Sequence, residues 1–159
     1  GQTTEYGLGS DGDQRAGLRL SYTDNGNGTI TDNVTGLMWE KKDDTAGIHG
    51  RARTFKWGPL LSPAETIVTE FLATLNSGGG FAGHTDWRIP NVKELSSLID
   101  YEAQIGGPMI DRAFHATTCT GCTDINQPSC SCTGESYHFA YCSSTMIPSD
   151  GSGSGPSGK

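Results

Sequence analysis

Long apolar runs are absent from this chain. Only 33% of its 159 residues are hydrophobic, and no stretch approaches the roughly 20 apolar residues that a membrane-spanning helix needs. No apolar signal sequence remains either, so we expect a mature exported product, extracellular or at the cell surface. Glycine is abundant instead, with 23 residues, which favours a loop-rich secreted domain over a helical cytosolic enzyme.

Positive charge is also scarce. The net charge of −7 argues against nucleic acid or an anionic membrane as a partner. One stretch is an exception and holds five of the eleven basic residues: Lys41, Lys42, Arg51, Arg53 and Lys56. It is either a solvated loop whose charges pair with neighbouring carboxylates or, together with Trp57, a contact surface for a sulfated or carboxylated polysaccharide.

Recognisable catalytic motifs are missing. The four histidines are scattered, and neither a nucleophile elbow nor a phosphate-binding loop occurs. The stretch from Asp24 to Asp32 has the rhythm of a calcium loop, but glycine stands at two ligand positions and no closing Glu follows. We therefore expect no cofactor, with calcium at Asp24 and Asp32 as a weak alternative to a plain hairpin.

Cysteine is confined to residues 119–142. In an exported protein, Cys119, Cys122, Cys130 and Cys132 are expected to form disulfides, in one of three connectivities that the sequence leaves open. Four thiolates could also bind zinc, although the gap between the two pairs is short for a zinc ribbon. Cys142 is the odd cysteine, and we expect it to be a free thiol or to bond another chain.

The local patterns predict an α+β fold with a small β-meander and two short helices. Two Asn-Gly steps at 25–28 predict a hairpin, and a second turn leads into a strand at 37–39. A helix over about 63–75 would be capped by Ser62 and end at Asn76, with one apolar stripe formed by Ile67, Val68, Phe71, Leu72 and Leu75. A second helix would be capped by Asn91 with Glu94 as its capping-box partner, and its inward-facing residues would be Val92, Leu95, Leu98 and Ile99. Short strands are expected at 87–89 and 137–143.

The chain divides by composition into three segments. Residues 1–20 are polar and glycine-rich and predict an irregular N-terminal arm, whereas 21–148 carry the patterned elements of a domain. Residues 149–159 have the Gly/Ser composition of a linker and are not expected to drive folding.

Three blocks carry a specific resemblance. They are YTDNGNGTITDNVTGLMWEK at 22–41, FAGHTDWRIPNVKELSSLIDYE at 81–102 and YCSST at 141–145. Together they resemble the family named for the C-terminal domain of the Legionella collagen-like adhesin. The resemblance covers most of residues 1–145 and implies an exported bacterial domain with a C-type-lectin-like fold.

The resemblance also assigns roles to particular residues. It implies a structural framework made of Trp39, Trp87, Arg88, Pro90, Asn91 and Glu94. The chain departs from the family pattern at Cys142, where a Trp is usual, and after Thr145, where the family's closing strands are not found. Because a sheet without its closing strands exposes an edge, we expect a neighbouring subunit to cover that edge, with Cys142 near the contact.

Three functions remain open at this point. The first is a non-enzymatic extracellular module that serves as a structural subunit of a homo-oligomer or filament. The second is an adhesin domain that binds carbohydrate such as a glycosaminoglycan, a property that better-studied members of the resembled family have. The third is an enzyme with a lectin-like fold, for which Cys119 and Cys122 are the only weak candidates.

Overall fold

A computed structural model describes residues 4–15, 17–43, 45–50, 53, 55–56, 66–100, 110–114 and 144. These residues fall into two compact units. The first unit holds the described residues before position 46 and those from 98 to 114. The second unit holds those from 46 to 97 together with Ser144. The predicted strand at 137–143 lies outside the described residues.

The first unit contains the predicted β-meander. Its strands are β1 (Tyr22–Asp24), β2 (Thr29–Asp32) and β3 (Met38–Glu40), antiparallel in the order β1-β2-β3. The Asn-Gly steps supply the turn between β1 and β2, since glycine adopts positive φ without strain. The N-terminal arm, predicted to be irregular, includes one helical turn, α1 (Asp11–Gln14).

The core of the first unit lies on one face of this sheet. Ile30 is fully buried and lies opposite Trp39 in the β2–β3 pairing. Leu98 and Phe114 complete the buried cluster, and Phe114 belongs to a short 3-10 helix, Arg112–Phe114. The ring of Tyr22 meets that of Phe114 edge-on, with centroids 5.1 Å apart. The aromatic residues of the meander thus anchor it to its core, as predicted for Trp39.

The second unit is built on one continuous helical segment. A π-helix, Ile67–Leu72, runs into α2 (Ala73–Leu75). The helix begins four residues later than predicted, because Thr66 is extended and caps it through a hydrogen bond from the Thr69 amide. The predicted cap, Ser62, lies outside the described residues.

The helix packs through residues spaced four apart. Ile67, Phe71 and Leu75 are buried with Phe55 and Ile89. Val68, which the sequence pattern placed on the same stripe, is 52% exposed. That prediction was wrong because π-helical bonding widens the turn and changes which side chains share a face.

A glycine turn ends this segment. The Phe81 amide donates to the Leu75 carbonyl, and the His84 amide donates to the Phe81 carbonyl. Gly80 has a φ of 74°, and a Cβ there would collide with the His84 carbonyl oxygen. Glycine is therefore required at this point both for its conformation and for its lack of a side chain.

The second predicted helix is present as α3 (Val92–Ser96). Its cap is Asn91, as predicted, although Val92 is 49% exposed rather than inward-facing. The predicted strand at 87–89 is not formed. With three strands and several short helices among the described residues, the α+β class is confirmed.

Candidate functional site

Asp24, one of the two calcium candidates, is held by a cation of the chain itself. Its Oδ2 lies 2.6 Å from the Nζ of Lys41, and its Oδ1 accepts a hydrogen bond of 3.0 Å from the Gly26 amide. The bond from Lys41, followed by that from Gly26, lowers the pKa of the Asp24 carboxyl. Asp24 thus links the end of β1 to the residue that follows β3.

Asp32, the other candidate, is buried and organises the second turn. Its Oδ1 accepts from the amides of Val34 at 2.9 Å and Thr35 at 3.3 Å, and its Oδ2 accepts from the Thr35 hydroxyl at 2.7 Å. In the β1–β2 ladder Asp32 lies opposite Tyr22, whereas Asp24 lies opposite Ile30. Within the described residues, no group of three or more His, Cys, Asp or Glu side chains could hold a metal ion.

The basic stretch is divided between the two units. Lys41 and Lys42 lie in the first unit, where Lys42 pairs with Glu40 at 2.7 Å. Arg53 and Lys56 lie in the second unit. Arg51 and Trp57 lie outside the described residues. The structure therefore does not bring the four described cations together as one surface of a single unit.

Arg53 is paired within the second unit. It forms an ion pair with Glu70 on the π-helix, and its guanidinium carbon lies 5.5 Å from the centroid of the Phe55 ring. Lys56 is exposed, while its carbonyl accepts the amide of Ile67 at 3.0 Å. Three of the described cations, Lys41, Lys42 and Arg53, are thus paired with carboxylates of their own unit.

Arg88 and Glu94 form the centre of the predicted framework. The Arg88 guanidinium donates to both carboxylate oxygens of Glu94, at 2.8 and 2.6 Å. The Asn91 amide also donates to Glu94 at 2.8 Å, and the Glu94 amide donates to the Asn91 side chain at 3.0 Å. The capping box and the bidentate ion pair share one carboxylate, and these bonds, led by that from Arg88, lower the pKa of Glu94 to about 2.

The backbone of Trp87 is bonded to Asn76, a residue that the sequence predicts only as the end of a helix. Asn76 accepts from the Trp87 amide at 2.7 Å and donates to the Trp87 carbonyl at 2.8 Å. The indole nitrogen donates to the Phe81 carbonyl at 3.0 Å. Asn76 thus pairs with both backbone groups of Trp87, as a neighbouring strand would have done.

Pro90 connects two of the blocks on which the family resemblance rests. Its carbonyl accepts a hydrogen bond of 2.8 Å from the amide of Ser144. Ser144 belongs to the YCSST block, and Pro90 to the second block. The two blocks meet in the second unit, although neither pattern alone predicts this contact.

Two polar atoms in the first unit are buried without a partner. The hydroxyl of Tyr22 and the indole nitrogen of Trp39 make no hydrogen bond that involves the described residues. Burial, and then the nearby carboxylates of Asp32, Asp111 and Asp100, raises the pKa of Tyr22 to about 12. Trp39 packs against the Ile30 cluster.

The cysteine candidates lie outside the described residues. This applies to Cys119, Cys122, Cys130, Cys132 and Cys142 alike. Their predicted bridges and the predicted intermolecular contact remain predictions. None of the described helices is long or apolar enough to cross a bilayer.

Comparison with known proteins gives one match. No curated protein and no solved structure shows significant similarity to the chain. The model of one protein family, described as the Lcl C-terminal domain, matches residues 28–152. The match begins at the hairpin turn and includes β2, β3, the helical segment, the Arg88–Glu94 framework and Ser144. Because it covers most of the sequence, the chain belongs to the Lcl C-terminal domain family.

Proposed function

We propose that this protein is a non-enzymatic extracellular module that acts as a structural subunit of a homo-oligomer or filament. Its membership in the Lcl C-terminal domain family supports a surface-associated bacterial module. Arg88 and Asn91 both bond to Glu94 within the second unit, so these three residues stabilise the module itself. We further propose a lectin-like fold with a disulfide staple among the cysteines of residues 119–132.

The observation that carries the assembly proposal is the set of exposed apolar side chains in the N-terminal arm. Leu8 is 99% exposed, Tyr6 is 74% exposed and Leu18 is 73% exposed. Isolated exposed apolar residues are ordinary, but here three lie within one short segment of a chain that has few apolar residues to bury. Covering them in an assembly would contribute to its stability.

Local hydrogen bonds hold part of this arm in a defined conformation. The Ser10 carbonyl accepts from the amides of Asp13 and Gln14, both at 3.0 Å. The Asp13 carboxylate accepts from the Gly9 amide at 2.7 Å. A fixed backbone lowers the entropy that is lost when Leu8 enters a contact, so the arm is suited to docking on another copy.

Light scattering and native mass spectrometry test this proposal. The full chain should form a discrete oligomer, and Leu8→Ser should shift it toward monomer. Val68→Ser is the matched control, because it removes an exposed apolar side chain from the second unit. A monodisperse monomer for the full chain, or equal effects of both substitutions, would refute a role for the arm in assembly.

Carbohydrate binding is the second candidate, and it rests on the exposed Lys56 and the neighbouring Arg53. The pairing of Lys41 with Asp24 and of Lys42 with Glu40 weakens attraction to a polyanion. A glycan array with sulfated polymers decides the question. Salt-sensitive binding that is lost on Arg53→Ala and Lys56→Ala, but kept on Lys93→Ala, would establish the adhesin function; no binding would exclude it.

A further inference from the structure

The turn between β1 and β2 contains two Asn-Gly steps that differ in their hydrogen bonds. Asn-Gly is the sequence most prone to spontaneous deamidation, because glycine leaves its own nitrogen unhindered for attack on the preceding side chain. Both Asn25 and Asn27 are exposed. The sequence alone predicts the same tendency to deamidate for both residues, whereas their hydrogen bonds in the structure differ.

At Asn25-Gly26, the backbone nitrogen that would attack the side chain already donates a hydrogen bond. The Gly26 amide donates to the Asp24 carboxylate at 3.0 Å. Deprotonating that amide would break a charge-assisted bond and place a negative nitrogen beside a carboxylate. The Asn25 side-chain amide is also fixed, since its Nδ2 donates to the hydroxyls of Thr29 and Thr31, both at 2.9 Å. Its Oδ1 accepts one long bond of 3.3 Å from the Thr31 hydroxyl, so its carbonyl is polarised less than that of Asn27.

At Asn27-Gly28, the backbone nitrogen of Gly28 is available for attack and the side-chain carbonyl of Asn27 is activated. Among the described residues, none accepts a hydrogen bond from the Gly28 amide. The Asn27 Oδ1 accepts from the Thr29 hydroxyl at 2.7 Å and from the Thr29 amide at 3.2 Å. Two donors on this oxygen polarise the side-chain carbonyl and stabilise the negative charge that develops there during attack.

We propose that Asn27 is a site of spontaneous deamidation and isoaspartate formation in the folded protein. The Gly28 nitrogen loses its proton to solvent hydroxide and forms a bond to Cγ of Asn27, and Nδ2 leaves as ammonia after taking a proton from water. The resulting succinimide is opened by water to aspartate or isoaspartate. No oxidant, metal or enzyme takes part, and the products carry one additional negative charge.

The modification alters the hairpin directly. Isoaspartate routes the backbone through the former side chain and adds a methylene to the turn. The acceptor that Asn27 offers to Thr29, which is fully buried, is then displaced. The Gly28 carbonyl also accepts the Lys41 amide at 2.8 Å, so the link from the turn to the residue after β3 is disturbed as well.

Peptide mapping of the full chain, aged at mildly alkaline pH, tests the proposal. Fragmentation that distinguishes isoaspartate from aspartate should show Asn27 reacting about tenfold faster than Asn25, because only the Gly26 amide is held by a charged acceptor. In denaturant the two rates should converge. Equal rates in the folded protein, or faster reaction at Asn25, would overturn the proposal.

Two variants sharpen the test. Asp24→Asn removes the charge beside the Gly26 amide and should accelerate reaction at Asn25 while leaving Asn27 unchanged. Asn27→Ser keeps a short acceptor near Thr29 and cannot cyclise, so the aged variant should show no product at position 27 and form new charged species about tenfold more slowly than the parent, at the rate of Asn25. An unchanged rate at Asn25 in Asp24→Asn would refute the protective role of the carboxylate.

Discussion

Replacing Asn76 should destabilise the second unit by more than its position at a helix end suggests. Its side chain makes two hydrogen bonds to the Trp87 backbone, at 2.7 and 2.8 Å. A neutral hydrogen bond contributes about 1 kcal/mol net to stability, and a backbone group that is buried away from water without a partner costs about 1–3 kcal/mol. Since both residues are half-buried, water reaches part of the site, and we expect Asn76→Ala to cost about 2–3 kcal/mol.

Variants at and beside this position separate pairing from helix capping. Asn76→Asp keeps an acceptor for the Trp87 amide but sets a carboxylate oxygen against the Trp87 carbonyl, so it should also be destabilising. Ser77→Ala is the matched control. It removes an exposed bond from the Ser77 hydroxyl to the Thr74 carbonyl and should cost less than about 0.5 kcal/mol.

Urea unfolding followed by tryptophan fluorescence measures these effects. A loss of about 2–3 kcal/mol moves the midpoint by about 1 M or more at an unchanged slope, because slopes for small proteins are about 1–3 kcal/mol per M. If Asn76→Ala stays within about 0.5 kcal/mol of the parent, the Asn76 bridge does not hold Trp87 in solution. An effect of Ser77→Ala as large as that of Asn76→Ala would point to capping alone.

Three further outcomes follow from the buried and paired groups. Asp32→Ala should lower the free energy of unfolding by about 3 kcal/mol, because three donors, two of them on Thr35, lose a charged acceptor. Chemical denaturation measures this loss, and Asp32→Asn should show a smaller one. Added calcium should not change the melting temperature of the parent. Because the pKa of Glu94 is lowered in the folded protein, its contribution to stability is complete above about pH 4.5 and is lost as the pH falls toward about 2. Glu94→Gln should remove that part of the acid-unfolding curve. An unchanged curve would show that the bond to Arg88 is absent in solution. Because the pKa of Tyr22 is raised in the folded protein, its contribution to stability holds below about pH 10 and is lost as the pH rises toward about 12. Ultraviolet titration should show the Tyr22 phenol ionising near that upper pH, and Tyr22→Phe should remove that step.

The features that the sequence predicts well are those whose chemistry is local. Asn91 and Glu94 lie three residues apart, and their capping box depends on nothing beyond that spacing. The Asn-Gly steps likewise contain their own turn. Trp39 packs against the Ile30 cluster as expected, because a large aromatic residue in a short strand has few alternatives to burial.

The features that the sequence misses depend on distant partners. Asn76 acts on Trp87, and an Asn after a helix is equally well explained as a cap, so the pattern contains no sign of the bridge. The basic stretch is contiguous in the sequence, but its charges are paired by Asp24, Glu40 and Glu70. The predicted burial of Val68 is wrong because the prediction depends on α-helical periodicity, whereas the chain is π-helical at this point.

The hydrogen bond between the Ser144 amide and the Pro90 carbonyl bears on how the chain folds. It closes a long loop of the chain, and the entropy of closing a flexible loop must be lost before the bond can form. The cysteines at 119–132 lie within that loop in the sequence. Any bridge among them would shorten the path along the unfolded chain between Pro90 and Ser144. Oxidation should then speed closure of this contact, and reduction should slow it without altering either residue.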